Sequence, residues 1–222
     1  YRYLDAALDF GDRASKKYFK FTVPMQGGWN GHDLFDQDKS DMNDLSAFRE
    51  MDSGNSSTDF GGANGSTTAA FRKALDILAE KSDVDIQLLA TPGIRSAGVT
   101  DYAIDKTEDR FDALYIMDTI VYDHDMKRIT TSSQEASVTN SVSKLSSRNL
   151  DTSFAATYFP DIVVRDGQTN VVAPPSVAVL GAMSLNDAVA HPWFAPAGFA
   201  RGALANTLET QVKLNRTNMD SL

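Results

Sequence analysis

The glycine-rich run Phe60-Gly61-Gly62-Ala63-Asn64-Gly65-Ser66-Thr67 is the first segment whose residue types could do chemistry. A phosphate-binding loop has the spacing G-x-x-x-x-G-K-[ST], because its backbone N–H groups and its lysine hold the phosphates together. Here the interval between Gly61 and Gly65 is shorter, and no lysine precedes Ser66. The segment is therefore interpreted as a turn that caps the helix after it, in which Ser66 or Thr67 is the capping residue.

The run Asp36-Gln37-Asp38-Lys39-Ser40-Asp41 resembles the beginning of a calcium-binding loop. An EF-hand requires glycine at its sixth position and glutamate at its twelfth, where this chain has Asp41 and Ala47. A solvated acidic loop is the preferred interpretation, with weak cation binding as the alternative. The sequence predicts no dedicated metal site.

A hydrolytic site is the third possibility. Asp123-His124-Asp125 follows a predicted strand, where catalytic groups of α/β proteins often lie. A Ser-His-Asp triad would have to use His32, His124 or His191, and no G-x-S-x-G elbow presents a nucleophile. Ser96 lies just beyond a strand end, but a helix N-cap explains it equally well. We expect no catalytic residue and no cofactor.

Alternating helices and strands from residue 66 onward must position these groups. Periodic apolar residues predict a helix with the stripe Phe71, Ala74, Leu75 and Leu78. A buried strand over 84–90 ends at Thr91-Pro92-Gly93, a helix covers 99–110, a second strand covers 113–117, and a serine-rich helix covers about 133–148. This order predicts an α/β domain with a largely parallel sheet.

Local charges and turns refine this picture. Asp109, Asp112 and Asp118 flank the second strand, and an ion pair between Arg110 and Asp112 is expected to orient the turn before it. Asp166-Gly167 predicts a hairpin between 162–164 and 170–172. Pro174 and Pro175 suit the start of a helix over 177–190.

Two further regions have their own composition. Residues 1–65 are interpreted as an N-terminal strand, over 18–23, and a polar surface region, with residues 66–222 as the core domain. A short helix is expected over 42–51, although residues 32–60 as a whole are expected to be exposed and tolerant of change. The aromatic loop of Trp193, Phe194, Pro196 and Phe199 is expected to pack over a sheet edge or against a neighbouring subunit.

The composition limits the partners. The 222 residues include 42% hydrophobic residues, no cysteine, and a net charge of −9. Clustered lysines and arginines interleaved with aromatics are missing, which disfavours direct binding to nucleic acid or to an anionic membrane. No apolar run reaches the length of a membrane span.

Several segments, taken in order, resemble the tail sheath proteins of contractile, myovirus-type bacteriophages. They are Val23–Gly31 with its glycine turn, Asp85–Ile94, Glu108–Ala113 with the strand to Asp118, Tyr158-Phe159-Pro160, Ala173-Pro174-Pro175-Ser176, and Trp193–Gly198. The structural motif residues that match are Gly27, Gly28, Gly31, Pro92, Gly93, Arg110, Asp112, Asp118, Pro160, Pro174, Pro175, Ala195 and Pro196. The long polar insert, residues 32–60, lies outside the match and suggests a very large phage.

The resemblance implies a three-layer α/β core, similar to subtilisin in fold alone, and a variable, partly β outer region. It implies a structural subunit of the virion tail, assembled in the host cytoplasm. Such subunits form a helical polymer around an inner tail tube, connect to a baseplate, and contract to drive the tube through the host envelope. The family's N-terminal arm and its C-terminal strands and arm are expected outside this sequence, so the chain alone is expected to be a monomer. An α/β-hydrolase-like enzyme and a baseplate or adhesion module remain the alternatives.

Overall fold

The structure, a computed structural model, describes residues 42–51, 61–129, 134–191, 193–204 and 206–222. The predicted strand over 18–23, the turn of Gly27, Gly28 and Gly31, and the acidic run 36–41 lie outside the described residues. The helices are α1 (Asp44–Met51), α2 (Ser66–Ala79), α3 (Ala97–Arg110), α4 (Val138–Ser146), α5 (Pro175–Val189), α6 (Gly198–Arg201) and α7 (Arg216–Ser221). The strands are β1 (Leu88–Ala90), β2 (Leu114–Asp118), β3 (Ala155–Tyr158), β4 (Ile162–Asp166), β5 (Thr169–Ala173) and β6 (Thr207–Thr210).

A parallel sheet of order β1-β2-β3 forms the centre of the fold. Tyr115 of β2 is in register with Leu89 of β1 on one side and with Ala155 of β3 on the other. The chain passes through α3 between β1 and β2, and through α4 between β2 and β3. The predicted α/β class with a parallel sheet is confirmed.

Helices pack on both faces of β2, because successive side chains of a strand point to opposite sides. Tyr115 and Met117 belong to a buried apolar cluster. Helix α3 contributes Val99, Ala103 and Ile104 to the same cluster. Ile116, which is 1% exposed, points the other way, and α5 contacts β2 and β3. The core is therefore layered as helix, sheet and helix.

The first strand is shorter than the predicted range 84–90. The N–H of Val84 donates to the carbonyl of Glu80 at 3.0 Å, and the carbonyl of Val84 accepts from Arg110 at 3.0 Å. Both backbone groups are therefore used in the turn that leaves α2, and pairing begins only at Leu88. Leu89 is buried, whereas Leu88 is only partly buried.

The predicted helix after the glycine-rich turn is present as α2, but it already begins at Ser66, and its buried face is shifted. Leu75 is 3% exposed, and Phe71 and Leu78 are packed against the core. Ala74 is exposed, so its place in the predicted stripe is wrong. Thr67 and Thr68 are fully buried instead, because α1 covers the start of α2.

An antiparallel sheet of order β5-β4-β6 follows the parallel one. The predicted hairpin between β4 and β5 is confirmed, and Gly167 adopts the positive φ of 59° that the turn requires. The strand β6, on the other side of β4, was not predicted. The helix α5 begins at Pro175 directly after Pro174, as expected.

The helix α1 is part of the core, which corrects the expectation that residues 32–60 as a whole are exposed; residues 32–41 and 52–60 lie outside the described residues. Ala47 is 0% exposed and Ser46 is 3% exposed, and α1 packs against both α2 and α3. The side chain of Met51, the last residue of α1, lies against Gly98 of α3. A Cβ added at residue 98 would be 2.5 Å from Cγ of Met51. The division of the chain at residue 65 stays a prediction.

Candidate functional site

The carboxylate of Asp118 ties three elements together where β2 ends. The side chain of Asp118 is almost fully buried and accepts hydrogen bonds from the N–H of Gly93 at 2.9 Å and from the N–H of Ser176 at 3.1 Å. The hydroxyl of Ser176 donates a further bond of 2.7 Å. Gly93 has a φ of 79°, which favours glycine at this turn.

This junction brings together three segments that carried the resemblance. The turn of Pro92 and Gly93 and the helix start at Pro174 and Pro175 meet at Asp118. Hydrogen bonds to a charged acceptor stabilise a fold by about 1.5–3 kcal/mol each, so Asp118 fixes the loop after β1 to the start of α5. The sequence singled out Asp118 but not Ser176 as its partner. The position of Ser176 in the first turn of a helix that begins with proline could have indicated this role.

Arg110, the last residue of α3, forms a second junction, before β2 begins. Its guanidinium is 2% exposed, donates from Nε to Oδ1 of Asp112 at 2.8 Å, and also donates to the carbonyls of Leu78 and Val84. The Arg110 hydrogen bond holds the pKa of Asp112 below its ordinary value. The predicted ion pair is confirmed, and it additionally satisfies a carbonyl in the last turn of α2.

Pro160, Ala195 and Pro196 lie apart from these junctions. Pro160 is buried between β3 and β4, and the peptide bond before it is cis. Ala195 and Pro196 are exposed in the loop between α5 and α6.

The aromatic residues of that loop and of α6, called the aromatic loop, are exposed as well. Trp193 is 78% exposed, Phe194 is 45% exposed, and Phe199 is fully exposed. The imidazole of His191 stacks on the ring of Trp193, with the ring centroids 4.6 Å apart. The expectation that this loop packs over a sheet edge is wrong, and its alternative, contact with a neighbouring subunit, stays a prediction.

A cavity of about 830 Å³ opens at the carboxyl edge of the parallel sheet. The loops after all three strands contribute to it, through Arg95 after β1, Arg128 after β2 and Asp161 after β3. The start of α4, the loop between β6 and α7, the beginning of α1 and Val172 of β5 also line it. Ligands of open α/β sheets bind in crevices outside the carboxyl ends of the strands. No motif pointed to these residues in the sequence, because they are isolated charges in three separate loops.

Two ion pairs line the cavity. Nη2 of Arg95 lies 2.9 and 2.7 Å from the two carboxylate oxygens of Asp161. Arg128 pairs with Oδ2 of Asp44, whose Oδ1 accepts from the N–H groups of Arg95 and Ser96. Burial lowers the pKa of Arg128 to about 10, so the guanidinium is still charged at neutral pH.

The groups considered for hydrolysis have different environments. Ser96 is 0% exposed at the N-cap position of α3, whereas His124 is exposed and lines the cavity. Oδ1 of Asp123 accepts from the N–H groups of Asp125 and Lys127 at 2.9 and 2.8 Å, which closes the turn around His124. The carboxylate of Asp123 therefore stabilises the turn in which it lies.

The segment of Gly61 to Gly65 is a short 3-10 turn, Gly62–Asn64, that leads into α2. The residue at the N-cap position of α2 is Gly65, and Glu50 of α1 supplies the acceptors instead of Ser66 or Thr67. Its two carboxylate oxygens accept from the N–H groups of Thr67 at 3.0 Å and of Thr68 at 2.8 Å. The turn precedes the helix as expected, but the predicted capping residue is wrong.

Within the described ranges, no group of three or more His, Asp or Glu side chains is placed to hold a metal ion. The helices in the described part of the chain are too short or too polar to cross a membrane. A comparison with models of known protein families finds no match, and a comparison with curated protein sequences finds no relative.

Proposed function

We propose that this chain is a structural subunit of a contractile phage tail sheath, which polymerises around an inner tail tube and contracts to deliver the genome. The observation that carries the proposal is the exposed aromatic loop of Trp193, Phe194 and Phe199. Large apolar side chains that stay in water mark contact surfaces between proteins. This loop is also one of the segments that resemble the sheath family.

The engagement of the motif residues supports the same proposal. Asp118 accepts hydrogen bonds from Gly93 and Ser176. Arg110 donates hydrogen bonds to Asp112 and to backbone carbonyls. The side chains of Asp118 and Arg110 are buried, and they hold loops and helix ends in place. A subunit that moves as a rigid body between two packings needs such internal junctions.

The test is negative-stain electron microscopy of the complete gene product that contains this sequence. The proposal expects tubes with helical striations, in which neighbouring subunits bury the aromatic loop. The variant Phe199→Asp should reduce tube formation without lowering the melting temperature, because the side chain is fully exposed. Met219→Asp, at an exposed apolar position on α7, is the matched control.

Other results would replace the proposal with one of its alternatives. Discrete globular particles that hydrolyse ester or phosphoester substrates would indicate an α/β-hydrolase-like enzyme. Globular particles that bind to bacterial surfaces without turnover would indicate a baseplate or adhesion module. Tubes that form equally well with Phe199→Asp would remove the aromatic loop as the contact surface.

A further inference from the structure

The cavity at the carboxyl edge of the parallel sheet contains a buried cation that is incompletely paired. The side chain of Arg128 is 10% exposed and lines the cavity wall. Its Nη2 pairs with Asp44, and its guanidinium lies 4.7 Å from the centroid of the Phe48 ring. Its other terminal nitrogen, Nη1, is buried and has no hydrogen-bond partner among the described residues. A buried donor without an acceptor is costly, and it points to a missing partner such as an ion, a ligand or water.

The beginning of α4 lies on the same cavity. Ser137, Val138 and Thr139 line it, and the helix that follows is nine residues long. The first N–H groups of a helix have no acceptor within the helix, and the helix dipole places partial positive charge there. The hydroxyl of Ser137 accepts from the N–H of Asn140, so this side chain organises the helix start next to the cavity.

The acidic residues of the lining are mostly neutralised by other groups. Asp161 is bound by Arg95 through both oxygens, and Asp44 is bound by Arg128 and by backbone N–H groups. Among the described lining residues, Lys213 and His124 add further donor groups, and Glu135 is the one further acid. Nη1 of Arg128 is therefore a donor of the lining that the acids of the described lining leave unused.

We propose that this cavity binds a small molecule through an oxyanion, a carboxylate or a phosphate, which accepts from Nη1 of Arg128 next to the start of α4. A guanidinium binds either group well, because its planar N–H donors match the spacing of two oxygens. A volume of about 830 Å³ is within the usual size of ligand sites and exceeds what a single ion needs. The site is separate from the exposed aromatic loop, so it does not rest on the proposed assembly role.

Calorimetric titration of the purified chain with succinate, and separately with inorganic phosphate, tests the site. Succinamide is the matched neutral probe, since it has the same carbon skeleton without the charges. We expect saturable binding of succinate or phosphate and none of succinamide at the same ionic strength. Binding of phosphate alone assigns the site to phosphate compounds, and binding of succinate alone assigns it to carboxylates. Equal binding of succinamide, or no binding of either anion at millimolar concentration, overturns the proposal.

Variants locate the binding. Arg128→Gln should weaken it about tenfold or more, the typical effect of losing a hydrogen bond to a charged group. Lys127→Gln removes an exposed cation beside it that is not part of the lining, and should leave the affinity unchanged. If Arg128→Gln does not fold, Lys213→Gln on the exposed rim replaces it and should weaken binding roughly twofold to fivefold. An affinity that follows Lys127 and not the lining cations would overturn the assignment.

Discussion

At the scale of single residues, buried charges hold this fold together in place of long strands. Asp118 is the clearest case, because its carboxylate accepts from two backbone N–H groups and one hydroxyl while it is 1% exposed. The strand β1, by comparison, has only three residues. The position of the loop after β1 therefore depends on Asp118 as much as on the sheet.

Asp118→Ala should lower the free energy of unfolding by about 2–4 kcal/mol, because Gly93 and Ser176 would lose their acceptor inside the protein. Asp118→Asn should also destabilise, since its amide donors would face other donors. Urea denaturation measures both effects. Asp105→Ala, at an exposed position on α3, is the control and should stay within about 0.5 kcal/mol of the wild type. If both alanine variants unfold at the same urea concentration, the junction does not stabilise the fold.

The ion pair of Arg110 and Asp112 makes stability depend on pH. The pKa of Asp112 is lowered from its ordinary value of 3.8, mainly by the Arg110 hydrogen bond, so the unfolded chain binds a proton more readily than the folded one. The ion pair therefore stabilises the folded chain at pH values above the ordinary pKa of Asp112. This stabilisation is lost as the pH falls through the lowered pKa of the folded state.

Asp112→Asn should lower the melting temperature at neutral pH, and its difference from the wild type should shrink as the pH falls below about 4. Melting curves recorded by circular dichroism across this range measure it. Asp109→Asn, at an exposed position one turn earlier, should give no such pH-dependent difference. If the difference in melting temperature between Asp112→Asn and the wild type stays constant as the pH falls, the charge of Asp112 does not contribute to stability.

At the scale of elements, α1 is the feature that the sequence-based interpretation placed wrongly. Its existence could be predicted, but its buried face is carried by Ser46 and Ala47, whose small size gives no strong apolar signal. Its contacts are equally hidden, since Asp44 and Glu50 accept from backbone N–H groups far along the chain. Pairings of this kind depend on the tertiary fold and leave no local pattern.

The elements that could be predicted are those with strong local signals. The periodic apolar face predicted α2, and Asp166-Gly167 predicted the hairpin of β4 and β5. The strand β6, Thr207–Thr210, has only one large apolar residue and is mostly exposed, so it has no alternation to detect. For the same reason, the cavity could not be foreseen, because Arg95, Arg128 and Asp161 come together only when three loops meet.

Glu50→Ala tests whether α1 caps α2. The N–H groups of Thr67 and Thr68 would lose their acceptor, and loss of a cap costs about 0.5–2 kcal/mol. Chemical denaturation should show this loss, with a smaller one for Glu50→Gln, which keeps one acceptor oxygen. Glu80→Ala, at the exposed end of α2, is the matched control. Equal stability of the Glu50→Ala and Glu80→Ala variants would show that α1 is dispensable to the start of α2.

At the scale of the whole molecule, net charge and the exposed apolar surface oppose each other. The chain carries a charge of −9, and repulsion between copies keeps them apart at low salt. The loop around Trp193 and Phe199, together with Leu185 and Val189 at the end of α5, favours contact. The balance of these two effects makes the oligomeric state depend on ionic strength.

The chain should be a monomer at micromolar concentration in low salt and should associate as salt is added. At about 1 M salt the screening length falls to about 3 Å, so repulsion no longer opposes the apolar contact. Multi-angle light scattering over a salt series measures the mass. Phe199→Asp should remain monomeric at every salt concentration, because it places a charge in the contact surface, whereas Met219→Asp on α7 should associate like the wild type. Association already complete at low salt, or unchanged in Phe199→Asp, would mean that other surfaces of the molecule carry its self-assembly.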